Sequence, residues 1–515
     1  MKTLNKILLI LFIGLIPFSS CDTEKLTDLN INPHAANELN WKFLLTNGML
    51  LSAENRYVNW RANLIYCAHF IQQCASTGGH AGDKYYRNTS YSASYFDYVY
   101  TRALKNLSEV IRQTDPTEGA NPEMTNARNI ARILRVVNMH RMTDLYGDVP
   151  YSEANKGLDG IFKPKYDAQK DIYTDMLKEL DEAVNGLSAS ADDIADADLI
   201  YKGDLDKWKK FGNSMMLRLG MRVSKIDAGM ATTYVTKAIN GGVMESNDDN
   251  AWIPMADGPD QWTNQNGTSR ALIQGDGSDG ALLSKTLVDF LKDRNDPRLM
   301  IISGGIGPWG GPYNTNYNEQ DGLPNGHDYE SLRILNGWPE DYQFDTHTTY
   351  SRINPLLLKT DAPYFLQSYS EVALLLAEVA ASQGQDAIAE AQYNKGVAAA
   401  MQMYELYDAS FVVSNGDVTS YLAANPYDPA KGEEMIGEQY WAATFLNWYE
   451  GYANWRRTGF PTLTPHNFEN NVTGGRIPLR LEYPLSEYSI NADNVSAANA
   501  RQGKDDFMTP VWWDK

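Results

Sequence analysis

The chain predicts a mostly α-helical protein: a scaffold of helix pairs interrupted by a loop-rich, aromatic-rich insertion. Three observations carry that prediction. Apolar residues recur at helical spacing through residues 41–245. The same spacing returns after residue 366. Between them, residues 246–360 lose the periodicity and crowd together Gly, Pro, Asn, Asp and aromatic side chains.

The first twenty residues predict an address rather than a fold. Lys2 and Lys6 lead into an apolar run from Ile7 to Phe18, followed by Ser19, Ser20 and Cys21. A basic start, a short apolar core and small residues at the end are the parts of an export signal. The run is about twelve residues, short of the roughly 20 that span a bilayer. The stretch Leu15-Ile16-Pro17-Phe18-Ser19-Ser20-Cys21 looks like a lipobox, in which the cysteine is acylated and becomes the new N-terminus. An ordinary secretory signal with a cysteine near its cleavage point is the alternative. Residues 21–40 then form a lipidated polar tether.

Charge narrows the partners. Residues 1–20 hold two of the 45 basic residues and none of the 65 acidic ones, so the remainder carries a formal −22. A surface this acidic argues against binding nucleic acid or anionic lipid through basic patches. Anchoring falls to the N-terminal lipid, because no second apolar run is long enough to span.

In the first scaffold stretch, Asn121-Pro122 predicts a helix start, and Ile130, Ile133, Leu134 and Val137 mark its buried face. Gly147 supplies the stop. Ile172, Met176, Leu180, Val184 and Leu187 mark a second helix; Trp208, Phe211, Met215 and Leu219 mark a third. Cys67 and Cys74 lie seven apart in a predicted helix, about 10.5 Å along its axis, too far to bridge. Both are expected as small apolar core residues, and His69 and His140 as satisfied interior histidines.

In the second scaffold stretch, 361–460, Val372, Leu375, Leu376 and Val379 form a stripe. Gly384 ends it, and Asp386 caps a partner helix to about Met401. Two helices in about 35 residues match the length of a tetratricopeptide-type pair, which buries its apolar face only by stacking on neighbours. Residues 461–515 are expected to be irregular and packed on the scaffold.

The insertion holds the candidate binding residues. Trp309, Tyr313, Tyr317, Tyr329, Trp338 and Tyr342 fall where burial in a helical core is not expected. Tyr and Trp combine flat apolar area with a polar handle, which suits the faces and hydroxyls of sugars. A second group, Gln72, Gln73, Tyr85, Tyr86, Arg87, Asn88 and Tyr91, follows the early helix. The competing reading makes these aromatics small cores that hold long loops in place.

Enzyme chemistry finds no support. The chain has no H-E-x-x-H, no G-x-S-x-G and no Walker-type loop, and no acid pair stands out for glycosidic cleavage. No catalytic residue, metal ligand or cofactor is assigned. Gly275-Asp276-Gly277-Ser278-Asp279-Gly280 offers carboxylates for calcium but lacks the EF-hand spacing, and a plain turn is the stronger reading. The Gly-x-Gly runs of 304–311 lack the strand-then-helix context of a dinucleotide site.

Several stretches resemble the SusD/RagB outer-membrane nutrient-binding lipoproteins. They include Asp28-Leu29-Asn30-Ile31-Asn32-Pro33 and, most specific, Asp144-Leu145-Tyr146-Gly147-Asp148-Val149-Pro150-Tyr151 within 141–154. Further matches are 208–219, Asp296-Pro297-Arg298-Leu299, 371–378 and 476–484. The resemblance covers nearly the whole chain. It implies tetratricopeptide-like helix pairs, a loop-rich half carrying the ligand, and a TonB-dependent SusC-like barrel as partner. It also places the segment after the early helix and the insertion near one ligand face, giving Gln73, Tyr85, Tyr86, Arg87, Trp309, Tyr313, Tyr317 and Trp338 as candidates. A peptide ligand, or a purely structural role beside the barrel, stays open.

Overall fold

The computed structural model describes residues 39–78, 82–258, 264–273, 281–342 and 346–515. Cys21, the signal, most of the tether and the glycine-aspartate turn at 275–280 therefore lie outside the described residues. Residues Trp41–Lys515 form one compact unit, so the scaffold stretches and the insertion share a body.

The longer helices are α1 (Trp41–Leu51), α2 (Ala103–Gln113), α3 (Thr125–Tyr146), α4 (Gln169–Gly186), α5 (Leu205–Arg222) and α6 (Ala228–Gly241). After the insertion come α9 (Tyr369–Ser382), α10 (Asp386–Gln402), α11 (Gly432–Ala443) and α12 (Trp448–Thr458). Consecutive helices pack in pairs, α3 with α4, α5 with α6 and α9 with α10. Because α5 also packs on α4 and α9, the pairs stack into the continuous helical body that their apolar stripes require.

The start of α3 differs from the sequence reading. Asn121 begins a turn, closed by the Met124 amide donating to its carbonyl, and the helix opens four residues later at Thr125. Its cap comes from elsewhere in the chain. Asp192 accepts from the amides of Asn126 at 2.7 Å and Ala127 at 3.0 Å, satisfying two of the N–H groups a helix start leaves open. Gly147 ends α3 at φ +82° as expected.

Charges are buried where the pairs meet. Arg222 of α5 donates twice to Glu450 of α12, at 2.6 and 2.7 Å, and Arg218 reaches Glu371 of α9 at 2.5 Å. Tyr440 of α11 donates to Glu450 at 2.8 Å. Burial opposes the charge on Glu450, but Arg222 and Arg218 outweigh it and hold the carboxyl at about 2. His140 sits beside them, pushed well below its usual range by burial and by Arg218.

The helix expected to run through both cysteines stops between them. Asn59–Ala68 is a π-helix containing Cys67, whereas Cys74 lies in strand β1 (Cys74–Ala75). Both thiols are free and buried, and burial pushes them upward. The His69 ring Nδ1 lies 2.7 Å from the Leu64 carbonyl.

Among the described residues, four two-stranded ladders stitch loops to helices. Strand β1 pairs with β5 (Leu282–Leu283), and β2 (Val149–Pro150) pairs with β3 (Tyr166–Asp167). Strand β4 (Ala251–Ile253) pairs with β8 (Tyr364–Gln367), and β6 (Ser303–Ile306) with β7 (Ser351–Ile353). The loop-rich insertion also contains the helices α7 (Lys285–Asp293) and α8 (Tyr329–Asn336). The C-terminal segment packs on the scaffold, where Leu481 donates to the Leu145 carbonyl at 2.7 Å. It is not wholly irregular, since Ala492–Gln502 forms a helix.

Candidate functional site

The glycine run explains how Trp309 is presented. Ile306 and Asn314 exchange backbone hydrogen bonds and close a loop around Trp309. A Cβ on Gly305 would stand 2.6 Å from the Asn314 carbonyl, and one on Gly307 2.4 Å from that of Pro312. Only glycine fits so tight a fold-back, with Gly305 at φ +108°. These glycines build a turn. At its tip Trp309 is 52% exposed.

Behind Trp309 lies buried Arg352 of β7. Its guanidinium carbon is 5.4 Å from the Trp309 ring centre and 5.8 Å from that of Tyr313, and its Nε donates to the Gly307 carbonyl at 3.0 Å. Tyr313 Oη accepts from the Gly310 amide at 3.0 Å. The cation and these hydrogen bonds fix both rings in a loop that otherwise faces solvent. Sequence reading missed Arg352, whose role only the pairing of β6 with β7 creates.

A second aromatic pair follows α8, which opens on an Asp328–Ser331 capping box and closes at Gly337 with φ +67°. Trp338 stacks on Tyr342 at 5.0 Å and 24°. Trp338 also packs on a small apolar cluster of Ala75, Leu282, Leu323, Leu332 and Tyr350, while Tyr342 stays 42% exposed. Tyr350 of that cluster immediately precedes β7, the strand that carries Arg352.

The other candidates separate by environment. Gln73 is fully buried and donates to the Trp441 carbonyl at 2.5 Å. Tyr85 is also buried, at φ +54°, its Oη accepting from the His466 amide at 3.4 Å. Both hold the body together. Tyr317 is pinned by its Oη to the carbonyls of Leu291 and Asp296, at 3.2 and 3.4 Å. Tyr86 is half-buried edge-to-face against Phe468, at 5.8 Å. Arg87 is exposed and donates to Glu482 at 2.7 Å.

Besides the pairing of β1 with β5, Asp83 ties the segment after the early helix to the insertion. Asp83 accepts from Asn325 Nδ2 at 3.2 Å and from the Gly326 amide at 3.0 Å. This brings Tyr86 toward the start of α8, where burial and the nearby Asp328 and Glu469 charges raise its phenol. Burial lowers His327 and His466 beneath the same junction. Each of these places offers flat apolar rings with hydroxyl, amide or charged neighbours, a combination suited to a polyhydroxylated ligand. Among the described residues, no group of three His, Cys, Asp or Glu gathers to hold a metal ion. No described helix is long and apolar enough to cross a membrane.

Known proteins share this fold. Residues 33–484 match the SusD-like family model described as starch-binding, associating with the outer membrane. A solved chitin-binding protein is 35% identical with a TM-score of 0.80, covering 92% of this chain and 100% of its own. A SusD-like protein of Bacteroidetes AC2a shares the fold at 24% identity and a TM-score of 0.80, covering 93% and 100%. So does a chitin-binding SusD homologue from Flavobacterium johnsoniae, at 22% and 0.73, covering 92% and 98%. No curated protein matches the sequence. With the family match spanning most of its length and its helix-pair body shared by these structures, the chain belongs to the SusD-like family.

Proposed function

We propose that this protein is a non-catalytic, cell-surface lipoprotein that captures an oligosaccharide and delivers it to a SusC-like TonB-dependent barrel of the outer membrane. Acylation of Cys21 holds it there. Trp309, Tyr313, Trp338 and Tyr342 form the capture surface, with Tyr86 and Arg87 at its border, and binding calls for no cofactor. The observation that carries the reading is Trp309: a ring 52% exposed yet fixed from behind by Arg352. An ordered, half-exposed tryptophan is a platform for a sugar face. The 35% identical relative is a chitin-binding protein, which favours chains of N-acetylglucosamine.

Calorimetric titration with chito-oligosaccharides, malto-oligosaccharides and oligopeptides tests this. Saturable binding of chito-oligosaccharides, with no new reducing ends on incubation, is the expected result. Binding of peptides with no binding of any glycan overturns the ligand class. Co-purification of a large barrel from outer membranes tests the partner.

A further inference from the structure

A tight antiparallel pair, Val149–Pro150 against Tyr166–Asp167, carries the loop 151–165 at its end. The loop is tied down. Asp167 accepts from the Ser152 amide at 2.8 Å, Glu153 from the Lys165 amide at 2.9 Å, and the Tyr100 carbonyl from Asn155 Nδ2 at 2.9 Å. Asn491 and Asn494 donate to the carbonyls of Pro164 and Lys163, at 2.9 and 3.1 Å. Its tip nevertheless stands clear of the body, since a Cβ on Gly157 or Gly160 would meet nothing within 4 Å.

Two large apolar side chains project from this tip. Leu158 and Phe162 are each 81% exposed, above every other exposed large apolar residue described. A single exposed leucine is ordinary. Two on one braced loop, left without cover, are not explained by the fold. The loop 151–165 holds Lys156, Lys163 and Lys165 against two acids, Glu153 and Asp159. Lys165 leans toward Asp167 at 3.5 Å, leaving Lys156 and Lys163 as exposed cations. The chain as a whole carries 65 acidic against 45 basic residues, so this local excess of lysine runs against the composition of the surface.

We infer that the loop 151–165 docks on an anionic bilayer surface, with Leu158 and Phe162 entering the headgroup boundary and the lysines facing lipid phosphates. Apolar side chains at a protruding tip with lysines around them are the chemistry of interfacial insertion. A narrow tip presents little area to a protein partner, whereas a fluid interface closes around it. Each lysine near an anionic surface strengthens partitioning by about fivefold. The neighbouring strip adds Leu485 and Ile490, both 59% exposed, together with the acids Glu487 and Asp493. Glu487 accepts from Tyr166 Oη at 2.9 Å, so its charge is turned partly inward. This contact would fix the orientation of a body that a flexible lipid tether alone leaves free to tumble.

The test uses the full mature chain with Cys21→Ser, so that no acyl chain masks the loop. Flotation is measured with vesicles of phosphatidylcholine alone and of phosphatidylcholine mixed with phosphatidylglycerol. The wild-type loop is expected to float with the anionic vesicles and to be released by salt. Leu158→Ser with Phe162→Ser lowers that partitioning by about tenfold or more at an unchanged melting temperature. Lys156→Gln with Lys163→Gln lowers it by about 25-fold on anionic vesicles. Val412→Ser, 60% exposed and outside the loop, floats like the wild type. Absence of wild-type flotation, or equal flotation of the Leu158 and Phe162 variant, overturns the inference. So does loss of a co-purifying outer-membrane protein in that variant without any vesicle binding, which assigns the loop to a protein partner instead.

Discussion

Arg352 lies behind Trp309, its guanidinium carbon 5.4 Å from the indole centre and its Nε bonded to the Gly307 carbonyl of the same loop. The cation therefore holds both the ring and the backbone that carries it. Trp309→Ala is expected to weaken chito-oligosaccharide affinity about tenfold, the loss of roughly 1–2 kcal/mol of stacking. Because the ring is half-exposed, the melting temperature should stay within about 2 °C of wild type. Titration calorimetry and thermal melts check both, and undiminished affinity removes Trp309 from the site.

Trp338 and Tyr342 are stacked, so their contributions are coupled rather than independent. Trp338→Ala and Tyr342→Ala are each expected to weaken affinity, and the double variant by less than the product of the two. A fully multiplicative double variant shows that the two rings bind separately.

Glu54 makes stability depend on pH. Burial raises its carboxyl to about 7, against Arg141 at 3.7 Å and the Tyr449 hydroxyl donating at 2.8 Å. The folded protein thus favours the protonated form. Its stabilising contribution is complete below the ordinary value of 4.5 and is lost as pH rises through 7. Glu54→Gln removes that term, so the fall in unfolding free energy between pH 5 and pH 8 should shrink by about 2–3 kcal/mol. Urea unfolding of both proteins at the two pH values measures it.

Glu450 answers two buried arginines. Glu450→Ala leaves Arg222 and Arg218 short of a counter-charge in the core, at a cost of about 3–5 kcal/mol. Glu450→Gln, which keeps the volume and accepts from Tyr440, should cost less. Denaturant midpoints rank the two, and equal costs refute the electrostatic reading.

Asp192 caps α3 across 66 residues of chain. Asp192→Ala should cost about 1–2 kcal/mol and raise amide exchange at Asn126 and Ala127 above that in the middle of the helix. Unchanged exchange at those two amides contradicts the cap.

Helices were legible wherever one face is buried, because a period of 3.6 residues writes itself into the chain. The stripes of α4, α5 and α9 show it, as does the stop at Gly147. Boundaries set by remote partners were not legible. Nothing near Asn121 announces that Asp192 will supply the cap, and nothing between Cys67 and Cys74 announces that the helix breaks there to let Cys74 pair in β1. The aromatic candidates show the same divide. Composition selected Tyr85 and Trp309 alike, yet one holds the body together and the other faces solvent, because the burial of an aromatic ring depends on what packs against it.

By itself, then, the sequence determined the helical class, through local spacing, and the family resemblance, through its motifs. Only the tertiary structure decided which rings stand free. It set Arg352 behind Trp309, joined Asp83 to the turn before α8 and turned Gln73 inward. Each of these pairs residues far apart in the chain, and such contacts leave no local pattern to read.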